Sequence, residues 1–222
     1  MKIIAEAGIN HNGNVSIAKA MIDIAVRAGA DAVKFQTFWN INRLKQYELT
    51  KDEFCSLYEY CKSKRIMFMS TPHTFEAIHF LDELVSIHKI ASTYLTNANF
   101  LKEVADKDKP IFLSTGSLMH KNGMATNEEI HKALSFIPDA DVTLLHCVSK
   151  YPCNDLNIKR ATDMNKFRKI VGLSDHTTNI DVPFFPVIEK HFMLSGIRCP
   201  DESVSLNPSE LGRFIKNVRK KE

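Results

Sequence analysis

The chain has 222 residues, of which 25% are charged and 44% hydrophobic, the composition of an ordinary globular protein. Its length suits a single α/β domain spanning residues 1–222. The net charge of +3 indicates neither a nucleic-acid nor a membrane partner, and no apolar run approaches the ~18 residues of a membrane span. The five cysteines form no CxxC pair, so we expect reduced thiols and a cytoplasmic protein.

Short apolar runs, typical of buried strands, alternate along the chain with longer stretches that have one apolar face, typical of helices. The predicted strands are Ile3–Ala7, Ala32–Thr37, Ile66–Ser70, Ile87–Ala91, Ile111–Ser114, Val142–Val148, Ile170–Leu173 and Pro186–Glu189. The predicted helices are Val15–Ala28, Asp52–Lys64, Phe75–Leu84, Asn97–Asp106, Asn127–Phe136, Leu156–Phe167 and Pro208–Arg219. This alternation predicts a (β/α)8 TIM barrel. A doubly wound sheet is the alternative, although no GxGxxG motif follows the first strand.

Polar and charged side chains stand at or just after the ends of the predicted strands, where a buried strand normally excludes them. Lys34 and Gln36 are two residues apart, as are Glu189 and His191, so each pair faces one side of its strand. Barrel enzymes carry their active sites at the carboxyl ends of the strands. We therefore expect these residues to share one site.

Lys34 and Lys89 are each flanked by apolar residues, which predicts inward-facing lysines. Two buried lysines need anions, and the hydroxyls of Thr71, Ser92 and Ser114 suit a bound phosphate or carboxylate. A Schiff-base lysine is the other possibility, because burial lowers the pKa of a lysine amine. The residues alone leave both roles open.

His176 and His191 end two successive predicted strands and are the candidates for a metal site. Asp175, Glu189 and Asp201 offer carboxylate oxygens nearby in the sequence. Imidazole and carboxylate ligands together suit Mn2+ or another divalent first-row ion better than a closed zinc site.

Glu6, near the end of the first strand, is a candidate base, a group that holds a substrate hydroxyl, or a structural ion-pair partner of the lysines. His11, in the loop that follows, is a candidate substrate contact. We interpret His73 as a surface or helix position, and His146 and Cys147 as barrel filling.

Eight motifs, taken in order, resemble those of the sialic acid synthase family: IAEAGINHNG, AGADAVKFQTF, FMSTP, HKIAS, PIFLSTG, LLHCVSKYP, GLSDHT and IEKHF. The resemblance runs from Ile3 to about Leu211. It implies condensation of phosphoenolpyruvate with an N-acetylated amino-sugar aldehyde, such as N-acetylmannosamine, to give a nonulosonic acid and phosphate. It also implies a homodimer and a divalent metal, Mn2+ or else Mg2+ or Co2+, that polarises the aldehyde.

The resemblance further implies a role for each residue on a matching motif. The implied substrate-binding residues are Lys34, Gln36, Thr71, Lys89, Ser92, Ser114, Ser149 and Tyr151. The implied metal ligands are His176 and His191, and the implied catalytic residues are Glu6, Glu189 and Asp201. The anion-binding role of the lysines is thereby favoured over the Schiff base.

The chain also departs from the family, and mostly on the sugar side. The segment WNINRLKQYELT is compressed, Ser149 stands where some members have Asn, and no antifreeze-like domain follows before Glu222. Pro183 and Pro186 predict an abbreviated seventh helix, which would leave an apolar strip for a second subunit to cover. We therefore expect the anion and metal sites to be better preserved than the sugar site. A non-catalytic homologue that binds sugar or phosphoenolpyruvate in a polysaccharide pathway is the alternative function.

Overall fold

The computed structural model describes residues 1–222, the whole sequence, and shows eight parallel strands in a nearly closed barrel. The strands are β1 (Lys2–Gly8), β2 (Ala32–Thr37), β3 (Met67–Pro72), β4 (His88–Ile90), β5 (Ile111–Ser114), β6 (Val142–Cys147), β7 (Val171–Asp175) and β8 (Val187–His191). The order is β3-β2-β1-β8-β7-β6-β5-β4, and β3 lies beside β4 without a hydrogen-bonded ladder. The predicted TIM barrel is confirmed, and the doubly wound sheet is excluded.

Seven helices surround the strands. They are α1 (Val15–Ala28), α2 (Lys51–Lys64), α3 (Phe75–Asp82), α4 (Ala98–Ala105), α5 (Asn127–Phe136), α6 (Ile158–Asp163) and α7 (Pro208–Arg219). Capping residues set their ends. At the start of α1, the Asn14 side chain accepts hydrogen bonds from two backbone N–H groups, and Gly29 ends the helix in a left-handed conformation. Helix α6 is shorter than predicted because Met164–Phe167 forms a tighter 3₁₀ turn.

No helix lies between β7 and β8, which are joined by a loop over residues 176–186. The predicted abbreviation is confirmed, and the loop exposes one large apolar side chain, Phe184, which is 46% exposed. Val182 and Phe185 of the loop pack into the main core. Asp175 and Lys190, on the outer faces of β7 and β8, form a fully buried ion pair with an Oδ2–Nζ distance of 2.5 Å. The loop and this pair occupy the place of the helix, and the second subunit that would cover the exposed part of the loop stays a prediction.

Inside the barrel, most strands contribute an apolar side chain and then, two residues later, a polar one. The apolar layer is one buried cluster of Ile4, Ala32, Met69, Phe112, Leu145 and Val187. The residues two positions further along line a cavity, and they are Glu6, Lys34, Thr71, Ser114, Cys147 and Glu189. Because side chains alternate across a strand, the register that fills the barrel floor also directs these polar groups toward its mouth.

His11, in the turn after β1, is buried with 1% of its surface exposed and does not line the cavity. Its Nδ1 accepts a hydrogen bond from the backbone N–H of Gly13 at 3.1 Å. Burial lowers the pKa of His11 to about 4. The expected substrate contact is therefore replaced by a structural role in the turn.

We expect His11 to make the stability of the fold depend on pH. Its pKa is about 4 in the folded protein and ~6.5 in an unfolded chain, so the unfolded state binds the proton first as the pH falls. The contribution is complete above pH ~6.5, is lost as the pH falls toward ~4, and amounts to about 2 kcal/mol between pH ~7.5 and ~5. Urea unfolding at both pH values should show that His11→Asn removes about that much of the loss. An unchanged pH dependence in the variant would contradict this assignment.

Candidate active site

A cavity of about 170 Å³ opens at the carboxyl ends of the strands, the position of active sites in this fold. Nearly all the predicted site residues line it. They are Glu6, Lys34, Gln36, Thr71, Lys89, Ser92, Ser114, Ser149, Tyr151, His176, Glu189 and His191. Asp201 is the exception. The barrel thus brings together residues that are spread over most of the sequence.

Lys34 lies within a buried group of charges. Its Nζ is 2.9 Å from Oε2 of Glu6 and 3.6 Å from Oε2 of Glu189, and it donates to the hydroxyl of Thr71 at 2.9 Å. Burial acts to lower the pKa of Lys34, but Glu189 and Glu6 outweigh it and the pKa lies above its usual value. Lys34 is therefore charged and already neutralised by two carboxylates.

Lys89 is less well compensated than Lys34. It donates to Oγ of Ser114 at 2.8 Å, but its Nζ lies 3.8 Å from Oε1 of Glu189. Burial lowers the pKa of Lys89, and the attraction of Glu189 does not offset this effect. Lys89 is thus the lysine with the most to gain from an additional anion.

Glu6 and Glu189 have opposite protonation preferences. Burial raises the pKa of Glu6 in spite of the nearby Lys34. Burial acts in the same direction on Glu189, but the two lysines and His191 lower its pKa to about 2. Neighbouring carboxyl groups whose pKa values are shifted apart can serve as proton donor and fixed charge in one site.

His176 and His191 lie side by side, with ring centroids 5.2 Å apart. Nδ1 of His176 donates to the carbonyl oxygen of Val148 at 2.9 Å, and Nδ1 of His191 lies 3.4 Å from Oδ2 of Asp201. Nε2 of His176 lies 3.0 Å from the hydroxyl of Tyr151. No three His, Cys, Asp or Glu side chains are arranged to hold a metal ion by themselves. The histidines therefore form a pair of possible ligands rather than a complete set.

Asp201 lies behind His191, outside the cavity lining. Its backbone N–H donates to Oδ1 of Asn10 at 3.0 Å, and its carbonyl accepts from the hydroxyl of Ser205 at 2.7 Å. Gly8, at φ +54°, leaves space for the carboxylate, because a Cβ there would lie 2.9 Å from Oδ2 of Asp201. Asp201 is thus held against His191. Because it does not line the cavity, it can influence the site only by orienting the His191 imidazole.

Comparison with known proteins gives the relatives of this barrel. The NeuB family matches residues 39–222. The N,N'-diacetyllegionaminic acid synthase of Campylobacter jejuni is 35% identical over 98% of this chain and 75% of its own length. An uncharacterised protein of Methanocaldococcus jannaschii is 36% identical over 98% of this chain and 69% of its own.

The chain belongs to the NeuB family. Among solved structures, the N-acetylneuraminic acid synthetase of Leptospira borgpetersenii, in complex with citrate, superimposes with a TM-score of 0.90. It is 33% identical, and the match covers 99% of this chain and 82% of that one. Membership in the NeuB family confirms the predicted resemblance and the predicted class of protein, an acid-synthase enzyme. No helix of this NeuB-family barrel has the length and apolar character needed to cross a membrane.

Six further residues line the NeuB-family cavity without having been predicted as site residues: His73, Ala91, Thr93, Leu118, Cys147 and Ser174. The interpretations of Cys147 as barrel filling and of His73 as a surface or helix position are therefore wrong. The signal that could have found two of them is alternation along the chain, because Cys147 stands two residues before Ser149 and Ser174 two before His176.

Cys147 links the serine hydroxyls of the cavity to the histidine pair. Its Sγ lies 3.6 Å from Oγ of Ser92, 3.7 Å from Oγ of Ser149 and 3.8 Å from Nδ1 of His176. Burial acts to raise the pKa of the thiol, but His176 outweighs it and lowers the pKa to about 7. The thiol is therefore a polar member of the NeuB-family site rather than core filling.

Asp175 does not lie beside the histidines, contrary to the sequence-based expectation. Its side chain leaves the strand on the outer face and pairs with Lys190, because it stands one residue before His176 and successive side chains alternate. His146 likewise faces away from the cavity, with Nε2 2.6 Å from the carbonyl oxygen of Leu156. The interpretation of His146 as barrel filling is therefore wrong, because alternation between Leu145 and Cys147 places its side chain outside the barrel.

Proposed function

We propose that the protein condenses phosphoenolpyruvate with the aldehyde form of an N-acetylated amino sugar, such as N-acetylmannosamine, to give a nonulosonic acid and phosphate. One observation carries the proposal: a single cavity contains two buried lysines with hydroxyl partners, two carboxylates and a pair of histidines. The NeuB-family relatives named for diacetyllegionaminic and N-acetylneuraminic acid synthesis support it.

The lysines and hydroxyls match the phosphate and carboxylate groups of phosphoenolpyruvate. Lys89 donates to Ser114 but lies 3.8 Å from the carboxylate of Glu189, so an incoming phosphate would give it a closer anionic partner. Ser92 lines the same cavity and offers a further hydroxyl. Gln36 and Thr71 line the cavity beside Lys34 and would complete the anion site.

His176 and His191 would hold a divalent ion, for which we propose Mn2+, with Mg2+ or Co2+ as alternatives. In each ring Nδ1 faces an oxygen, from Val148 and Asp201, and this is how metal-ligating histidines are usually oriented. Two imidazoles leave further coordination positions to water or substrate oxygens. When bound, such an ion supplies Lewis-acid polarisation of the sugar carbonyl.

Glu6 is our candidate for the group that moves a proton. Because burial raises its pKa, Glu6 can carry a proton closer to neutral pH than an exposed glutamate can. Glu189 would remain charged and hold Lys34 and Lys89 in the cavity. Ser149 and Tyr151 line the cavity and would orient the sugar.

The atoms of the proposed reaction balance as follows. The methylene carbon of phosphoenolpyruvate bonds to the aldehyde carbon, and the aldehyde oxygen takes up a proton. Water adds to the second carbon of the phosphoenolpyruvate unit, and the resulting tetrahedral centre loses phosphate together with the bridging oxygen. A keto acid remains, and Lys89, the less compensated of the two lysines, would balance the charge of the departing phosphate.

Replacing Lys89 by methionine should weaken phosphoenolpyruvate binding about ten- to a hundredfold, because a charged hydrogen bond contributes ~1.5–3 kcal/mol. Isothermal calorimetry with phosphoenolpyruvate alone and with the sugar alone checks this. Lys62→Met is the matched control, because Lys62 is exposed on α2, outside the cavity lining, and pairs there with the exposed Glu59. Equal weakening for both ligands in Lys89→Met would contradict a specific anion site.

The proposed activity itself is tested by phosphate release from phosphoenolpyruvate with Mn2+ present. The panel should contain N-acetylated hexosamines and their 6-phosphates, each measured with and without metal. Release that requires both the metal and one sugar is the expected result. Measurable phosphoenolpyruvate binding without release for any sugar would favour the non-catalytic homologue.

The lowered pKa of Lys89 also suits a Schiff-base lysine, which is the second candidate. Reduction with borohydride in the presence of pyruvate distinguishes the two, because only a Schiff base becomes a stable covalent adduct. We expect no adduct by mass spectrometry.

We further propose that the enzyme works in the cytoplasm, because its five cysteines are free thiols. The homodimer stays a prediction.

A further inference from the structure

The segment from Gly116 to Met124, between β5 and α5, forms a tongue at the mouth of the cavity. Its two ends pair as an antiparallel bridge, and the backbone N–H of Ser117 donates to the carbonyl oxygen of Gly123 at 2.9 Å. The backbone N–H of Ser149 donates to the same carbonyl oxygen at 2.8 Å. The tongue is therefore closed at its base and fixed to the chain that follows β6.

The tip of the tongue is also tied to α5. Nε2 of His120 lies 2.9 Å from Oε2 of Glu129, and Glu129 in turn takes part in the capping box at the start of that helix. The tongue thus has attachments at both ends. Because the backbone of the tongue is fixed at its base and near its tip, side chains near the tip have a defined position at the mouth of the cavity.

Leu118, near this tip, is the only leucine, isoleucine, valine or methionine in the cavity lining. It is 66% exposed, while its neighbour Met119 is 90% exposed and does not line the cavity. A single exposed leucine is ordinary on a protein surface. Leu118 differs because it forms part of the wall of a cavity whose other lining groups are mostly polar.

The chemistry of the proposed substrates indicates what Leu118 would contact. Phosphoenolpyruvate presents a phosphate and a carboxylate, and the sugar presents hydroxyls, and for all of these groups the lining offers polar side chains. The acyl methyl of an N-acylated amino sugar is the one sizeable apolar group of the two substrates. It cannot form hydrogen bonds with the polar side chains of the lining. Its burial against an aliphatic side chain is favourable by the area removed from water.

We propose that Leu118 determines specificity for the N-acyl group of the sugar, with the tongue holding it in place. This inference rests on the proposed function. Leu118 acts through apolar contact alone, so its removal changes the choice between sugars and leaves the anion site unaffected. Lys89 and Ser114, which belong to that site, are connected to each other independently of the tongue.

The test compares Leu118→Ala with Met119→Ala, two truncations of adjacent apolar residues of which only the first lines the cavity. The probes are the most active N-acetylated sugar of the panel and the same sugar with a hydroxyl in place of its acetamido group. In Leu118→Ala the ratio of the two kcat/KM values should fall about fivefold, as expected for losing the burial of about one methyl group. Met119→Ala should keep the ratio of the unmodified protein, and Leu118→Met should restore most of it.

Calorimetry with phosphoenolpyruvate provides the second readout, and its dissociation constant should be the same in all four proteins. An unchanged sugar ratio in Leu118→Ala, with the unmodified protein active, would overturn the inference and leave the proposed function standing. Weakened phosphoenolpyruvate binding in Leu118→Ala would also overturn it, because the effect would then not be specific to the sugar. A panel in which no sugar supports phosphate release would overturn both.

Discussion

Replacing His191 by alanine should lower metal-dependent turnover by more than about a hundredfold, the upper end of what the loss of an outer-shell partner costs at a metal site. His191 would contribute one of only two imidazole ligands, since no larger ligand set is arranged in the structure. Its partner Asp201 would then have no imidazole to orient. Phosphate release after chelation and stepwise addition of Mn2+ measures the effect on activity.

Direct titration with Mn2+ by calorimetry gives a readout that does not depend on turnover. We expect clear binding to the unmodified protein and little binding to His191→Ala. His131→Ala is the control, because His131 is exposed on α5, away from the cavity. Full activity after exhaustive chelation, or equal Mn2+ affinity in His191→Ala, would show that the histidine pair is not a metal site.

Replacing Lys190 by methionine should destabilise the fold by about 3–5 kcal/mol, the usual effect of breaking a buried ion pair by removing one partner. Lys190 and Asp175 are both fully buried, and Nζ of Lys190 also donates to the carbonyl oxygen of Thr177 at 2.6 Å. Without the lysine, the carboxylate keeps only a hydrogen bond from the backbone N–H of Thr177. The free energy of unfolding in urea measures the loss.

Two comparisons make the result specific to the ion pair. The double variant Lys190→Met with Asp175→Leu should recover much of the stability, because it leaves no unpaired buried charge. Lys221→Met removes the exposed pair with Asp181 and should cost less than about 1 kcal/mol. A loss as large in the double variant as in Lys190→Met would indicate that the packing of the lysine stem, rather than its charge, stabilises the loop between β7 and β8.

Much of the fold could be predicted from the sequence because its signals are local. The bounds of β2, α1, α5 and α7 agree with the structure to the residue. Apolar runs and capping residues encode such elements directly, as with Asn14 and Gly29 at the ends of α1. The loop after β7 was predictable for the same reason, since Pro183 and Pro186 oppose a helix.

The site could be predicted in part because strand periodicity places alternate residues on one face. Lys34 with Gln36, and Glu189 with His191, line the cavity as their spacing requires. The same alternation places Asp175, one residue before His176, on the outer face, where it pairs with Lys190.

Other features depend on distances between segments that periodicity does not encode. The carboxylates of neighbouring strands neutralise the charge of Lys34 better than that of Lys89. This follows from a difference of about an ångström between the Lys34–Glu6 and Lys89–Glu189 distances. Leu118 reaches the cavity only because the tongue folds back on itself. Asp201 approaches His191 because Asn10, far away in sequence, fixes its backbone.

The central claim is that one cavity joins the three carbons of phosphoenolpyruvate to a sugar. The most direct test is mass spectrometry of the reaction with phosphoenolpyruvate labelled with ¹³C at all three carbons, the most active panel sugar and Mn2+. We expect a single acidic product that contains the intact sugar and all three labelled carbons, formed together with an equal amount of phosphate. Labelled pyruvate and phosphate with unchanged sugar would contradict it, because the protein would then hydrolyse phosphoenolpyruvate without forming a carbon–carbon bond.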